Sequence, residues 1–336
     1  MLGSGNMSPQ GLAQQDTPGS ALLLDPWMPD YDASVLIDSG EPIETGEVDP
    51  SVESADWKAM PPIVTRSAAP LFFLDGTRRI EARVLAWKQD QIIHGLFGSL
   101  AVGAVKSEAG RATIHRFAVE HILLLGHGLR HSETLSIGNA TLSYEGISSA
   151  ASDPSELVTD LQTRMRRREA ELGEDLVDRE NGFVFMDGPL AYITSHRPLA
   201  GIIKKIHVPY LDSGRFRLVP SLATGERTPI FGIRDGKNDR YSWYLRLGEG
   251  RRIEHRLAGI VRVEVRASIG VDAAAELANL SAARLPQFAS EAARDPRAPQ
   301  NLVPVGALEE ELRRLMGDAL MIRRAIETKL SEGVHV

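Results

Sequence analysis

Two stretches of the chain end alike: Leu71-Phe72-Phe73-Leu74-Asp75-Gly76 and Phe183-Val184-Phe185-Met186-Asp187-Gly188. In each, four apolar residues read as a strand buried on both faces, an aspartate terminates it, and a glycine releases the backbone. Open α/β sheets place ligand groups at such a lip, because the strand fixes the side chain and the loop beyond it opens a crevice. Between the two lies a third carboxylate. The stripe Leu157, Leu161, Met165 steps on by four to Glu169 and by three more to Leu172, which sets Glu169 on the apolar face of a helix. A carboxylate there is costly unless it is paired, hydrogen-bonded or bound to a metal. Glu171, about 200° around the helix, and Glu174 are the solvent-facing alternatives. A fourth acid comes from the run Glu309, Glu310, Glu311, which follows Pro304-Val305-Gly306. With Leu308, Leu312, Leu315 and Met316 as the buried stripe of that helix, Glu309 is the first choice; Glu311 flanks the stripe almost as well, and the helix dipole favours acids in a first turn in any case.

The chain has no cysteine, which excludes thiol nucleophiles, disulfides, Cys-ligated zinc and iron–sulfur clusters. An all-oxygen set of this kind suits Mg²⁺ or Mn²⁺. Two such ions on shared aspartates serve in-line attack of water on a phosphodiester, so the pattern points to phosphoryl-transfer chemistry. Cations lie close by in sequence: Arg78 and Arg79 follow Asp75, and Lys204-Lys205 follow Asp187. Tyr241, Trp243 and Tyr244 offer rings on which bases could stack, though the same spacing serves a core strand. Lys204, Arg79 and Trp243 are the candidate substrate contacts. His121, His127 and His131 lack a zinc-ligand spacing and read as structural. The segment from Gly232 to Asn238 is one residue short of a phosphate loop, with Asn238 where Ser or Thr belongs, so no built-in ATPase is expected.

These residues need a scaffold. The chain of 336 residues is 43% hydrophobic and 25% charged, an ordinary globular mixture. No apolar run reaches the roughly 18 residues that span a bilayer, and no export signal opens the chain, so a cytoplasmic, membrane-free protein is expected. The net charge of −7 is uneven: residues 1–60 hold eleven acids against Lys58 alone, leaving 34 acids and 37 bases in 61–336. Residues 1–20 are too poor in apolar groups to order, while Leu22, Trp27, Tyr31 and Trp57 suit an arm lying over a body. The expected division is therefore an acidic, partly disordered arm over 1–60 and one domain over 61–336. In that domain the periodicity predicts a strand over 71–74, an alternating strand with Ile80, Ala82, Val84 and Ala86 on one face, and a strand or hairpin over 91–106. A helix follows over 154–176, opened by Asp153-Pro154, then strands at 182–188, 228–233, 241–247 and 258–265 and helices over 271–284 and 306–327. This is an α/β fold, a mixed sheet with flanking helices.

The ordered series is similar to one family. A strand ending in Asp75-Gly76, a helix carrying Met165-Arg166-Arg167-Arg168-Glu169, then Val184-Phe185-Met186-Asp187-Gly188-Pro189-Leu190, Gly201-Ile202-Ile203-Lys204 and Gln300-Asn301-Leu302-Val303-Pro304 running into Leu308-Glu309 resembles the NurA-type nucleases over about residues 65–327. The resemblance implies a ribonuclease H-like fold, a toroidal homodimer, and manganese- or magnesium-dependent cleavage of DNA. It also implies partnership with a HerA-type hexameric ATPase in DNA end resection and repair. By the same resemblance Asp75, Glu169 and Asp187 match catalytic, metal-ligand positions. Many members carry an Ala-His pair in the late helix where this chain has acids, so the fourth ligand stays open among Glu309, Glu310 and Glu311. Two other readings stand beside it: a catalytically silent nucleic-acid-binding or motor-adaptor subunit, and a related enzyme acting on RNA.

Overall fold

In chain order the strands are β1 (Leu23–Leu24), β2 (Glu47–Asp49), β3 (Leu71–Lys88), β4 (Gln91–Glu108), β5 (Arg111–Leu125), β6 (Glu133–Ile137), β7 (Ala140–Ser148), β8 (Phe183–Asp187), β9 (Leu199–Ile203), β10 (Phe231–Arg234), β11 (Arg240–Arg246) and β12 (Ile260–Arg266). The α-helices are α1 (Pro154–Arg179), α2 (Ser213–Phe216), α3 (Val271–Arg284), α4 (Val303–Leu315) and α5 (Ala319–Glu332). The computed structural model describes residues 22–24, 46–63, 69–88, 90–206, 209–236 and 238–332. The expectation of disorder over 1–20 lies outside them. No helix among the described residues is long and apolar enough to cross a membrane.

The strands form one sheet in the order β2-β10-β11-β12-β9-β8-β3-β4-β5-β7-β6, with β1 pairing separately to β3. Its centre is five strands in the order β5-β4-β3-β8-β9. There β4 is antiparallel to both neighbours, while β8 runs parallel to β3 and β9 parallel to β8. That strand order and polarity, with α1 crossing between the hairpin strands and β8, is the ribonuclease H-like arrangement. The fold is thus a mixed α/β sheet with flanking helices.

Each face is covered by a helix whose sequence dictates it. Asp153 caps α1, its Oδ1 accepting the N–H groups of Ser155 and Glu156 at 2.8 and 3.2 Å, and Pro154 supplies the first helical residue. Leu157, Leu161 and Met165 then pack on Leu96, Leu100 and Val102 of β4, while Ala170 and Leu176 pack on Phe72, Leu74, Val184 and Met186. The opposite face carries Leu71, Phe73 and Phe185 under α3 and the start of α4, with Leu308 and Leu312 of α4 on Ala101 and Val105.

Three expectations are corrected. The stretches 71–74 and 80–86 are one strand of 18 residues, so Asp75 sits inside β3 and not at its end. The register slips between Ile80 and Ala82, and this bulge reverses the alternation: Ile80 packs with the α1 side, whereas Ala82, Val84 and Ala86 join Ile322 and Ile326 of α5 on the other. The single helix expected over 306–327 is two, α4 and α5, parted at Gly317, whose φ of +84° suits glycine and ends a helix. The stretch 46–63 lies against the body. Its β2 edges β10, Glu53 grips the buried Arg227 with both oxygens at 2.7 Å, and Trp57 Nε1 donates to the Arg215 carbonyl at 3.1 Å.

Candidate active site

The parallel register of β3 and β8 pairs Leu71 with Phe183 and Leu74 with Met186. One step further sets Asp75 opposite Asp187. Their side chains share the face on which Phe73 and Phe185 stack at 6.1 Å. The third carboxylate arrives from the other face: Glu169 is wholly buried where the α1 stripe runs over β3. Its route is opened by Gly76. A β-carbon there would come within 2.5 Å of Glu169 Oε1, so any larger residue displaces the carboxylate. Gly188 does the same for a cation, because a β-carbon on it would lie 3.0 Å from Nη1 of Arg166. It also ends β8 with a φ of +97°, a conformation glycine takes freely.

The cluster is therefore three acids and two bases. Arg166 Nη1 donates to Glu169 Oε2 at 3.0 Å and to the Asp187 carbonyl at 3.3 Å. Lys204, just past the end of β9, donates to Asp187 Oδ2 at 2.7 Å and to Asn301 Oδ1 at 2.6 Å. Asn301 is itself buried and donates through Nδ2 to Asp295 at 2.5 Å. Asp75 Oδ1 accepts the Gly76 N–H at 2.8 Å, and Glu169 Oε1 is left without a donor. The electrostatics follow from that crowding. Burial first, and then the charges of Asp187 and Glu169, hold the Asp75 carboxyl well above the usual carboxylate range, with Lys204 opposing. Burial pushes Glu169 up to about 7 although Arg166 pulls it down. Burial disfavours the Arg166 charge, and the surrounding carboxylates more than offset it.

The other predicted residues lie elsewhere. Glu309 is not part of the cluster: it holds Arg297 at 3.0 Å and Arg313 at 2.5 Å. Glu311 pairs with Arg314, and Glu310 is exposed. Arg79 is committed to Glu81, at 2.7 and 3.1 Å, and to the Met316 carbonyl, so it is no free phosphate contact. Trp243 is buried in the sheet core with Nε1 on Ser281 at 3.0 Å and cannot stack on a base. Of the expected histidines, His121 sits on Ser99 Oγ and His131 on Glu133. Asn301 carries no sequence signal beyond the family series, since its partner Lys204 is 97 residues away.

Among the described residues no three His, Cys, Asp or Glu side chains already stand spaced around an ion. Arg166 and Lys204 each hold one of the carboxylates, Glu169 and Asp187.

No protein-family model matches the sequence, and no curated protein does. Solved structures do. The NurA nuclease from Sulfolobus solfataricus superposes over 83% of this chain and 88% of its own, at 10% identity and a TM-score of 0.47. Human ENDOV covers 74% of this chain and 84% of its own at 12% identity and TM-score 0.32. The catalytic domain of human Endonuclease V, in a cysteine-substituted form, covers 75% and 83% at 14% identity and TM-score 0.34.

Proposed function

We propose that this chain is a divalent-metal-dependent DNA nuclease, acting as a homodimer with a HerA-type hexameric ATPase in DNA end resection and repair. The observation that carries the reading is the buried Glu169, one oxygen of which has no donor, beside two further carboxylates. Such a surplus of desolvated negative charge is unstable alone and matches the all-oxygen preference of Mg²⁺ or Mn²⁺. Asp75, Glu169 and Asp187 are the residues that would hold the ion, and none of Glu309, Glu310 and Glu311 is assigned to it. When bound, the ion supplies a Lewis acid for the phosphodiester. The protein's own groups do the rest. Lys204 spends two of its three N–H groups on Asp187 and Asn301 and has one left for a phosphate oxygen. Arg166 holds Glu169 and the end of β8 in one geometry. The partner ATPase and the dimer rest on the sequence resemblance.

The test is calorimetric titration of Mn²⁺ into the protein together with cleavage of labelled DNA in Mn²⁺, Mg²⁺ and EDTA. Binding that is lost in Asp75→Ala and Asp187→Ala, along with cleavage, is expected, and RNA offered in parallel should be cut less. A protein that binds DNA but neither Mn²⁺ nor Mg²⁺ would instead be the silent adaptor, a reading favoured by the ion pairs that already occupy Glu169 and Asp187.

A further inference from the structure

The connection between β11 and β12, residues 247–259, carries Arg251, Arg252 and Arg256 around a cleft of about 300 Å³, which Glu249, Glu254 and His255 also line, Glu249 facing Arg246 at 3.8 Å. It is a built loop. The guanidinium of Arg246, itself buried, donates to the carbonyls of Arg256 and Ala258 at 2.9 Å each, of Pro220 at 3.1 Å and of Leu222. Arg251 Nε closes the tip on Glu254 at 2.6 Å. That leaves Arg252 and Arg256 exposed and without an ion pair among the described residues. Between the two, Ile253 stands 85% exposed, a side chain that gains only if something covers it.

Its position is as informative as its charge. Asp187 lies in register with Ile202, and Ile202 with Val263, three residues from the start of β12. Two strand spacings across and three residues along put the base of the loop roughly 14 Å from Asp187, at the same edge of the sheet. Pro299 links the two, lying so close to Gly248 and Gly259 that a β-carbon on either would meet it at 3.2 and 3.0 Å, while Asn301, two residues on, holds Lys204. We infer that this loop is a second phosphate-binding site for the substrate strand, with Arg252 and Arg256 gripping backbone phosphates about four nucleotides from the scissile bond, at 3.4 Å of rise each. The inference rests on the nuclease reading above.

Two substrates separate the inference from that reading. Bis(4-nitrophenyl) phosphate is too small to reach the loop and reports the carboxylate cluster alone; fluorescein-labelled DNA, followed by anisotropy over a salt series without divalent ions, reports the whole surface. The double variant Arg252→Ala, Arg256→Ala is expected to bind DNA roughly tenfold more weakly, with the slope of log affinity against log salt reduced by about 2. Its turnover of the small phosphodiester in Mn²⁺ and its melting temperature should match the parent, as should all properties of the control Arg324→Ala on the exposed face of α5. DNA affinity and salt slope unchanged in the double variant would overturn the assignment. Absence of small-substrate turnover in the parent protein would sink the nuclease reading, and the anisotropy comparison would still decide the loop.

Discussion

Asp75 and Asp187 are each followed by glycine, and the structure gives the two glycines different tasks: one admits the Glu169 carboxylate, the other the Arg166 guanidinium. Three acids and two bases thus share a space that burial has dried. Charge repulsion among the acids is a stability cost that the metal-free protein carries. Asp75→Asn keeps the oxygen that accepts the Gly76 N–H and removes one of those charges. It should abolish cleavage and yet raise the melting temperature in EDTA, by roughly 1–2 °C for each kcal/mol relieved in a chain of this length; a lower melting temperature would show that the charge is needed for folding. Glu169 makes a second prediction through its titration. Its folded carboxyl is raised from 4.5 to about 7, so between those values the folded state binds the proton and the unfolded state does not. Stability from this group is complete below pH 4.5 and is lost as pH rises to 7, a change of about 3 kcal/mol. Urea unfolding in EDTA across that range should show the decline in the parent and a shallower one in Glu169→Gln; parallel curves would refute the raised value.

Elements written by one dominant period are legible in the sequence; those held by distant partners are not. The stripe of α1 and its Asp153-Pro154 opening place the helix, and with it Glu169, while the apolar runs ending at Asp75 and Asp187 place the two strands that meet it. The β5 strand escapes such a reading because its first half, from Arg111 to Ala118, is exposed or half-buried on both faces and so carries no alternation. The bulge at Glu81 defeats simple counting for the same strand that holds Asp75, since one extra residue exchanges its faces. Buried charges are the least legible of all. Arg227 reads as a surface residue, yet it is fully buried because Glu53, 174 residues away in sequence, and Asn279 satisfy it. That pair joins the 46–63 segment to the sheet. Glu53→Ala should therefore cost about 3 kcal/mol or more in urea unfolding, because it strands a buried guanidinium. A cost below about 1 kcal/mol would mean that water reaches Arg227 and that the segment contributes little to the body.

At the scale of the whole molecule, the candidate site and the arginine loop lie along one edge of the sheet, and among the described residues no element beside them is built to hold a nucleoside triphosphate. Of the segment from Gly232 to Asn238, which faintly matches a phosphate loop in sequence, Gly232 to Arg234 belong to β10, and β11 begins at Arg240, antiparallel to it. A phosphate loop needs the N-terminus of a helix where its glycines end, with backbone N–H groups converging on the phosphates; here an antiparallel strand follows instead. Degradation of long duplex nonetheless consumes energy for strand separation or translocation. On the proposed function that work falls to a separate motor, and the nearly balanced charge of residues 61–336, 37 bases against 34 acids, offers DNA only a modest hold. Cleavage of labelled duplex by this chain alone is therefore expected to be short-ranged, steeply weakened by salt and indifferent to ATP. Adding a HerA-type ATPase should make long-duplex degradation ATP-dependent. Both proteins are assayed singly and together, with and without nucleotide, and stimulation of this chain by ATP in the absence of the motor would refute the separation of cutting from driving.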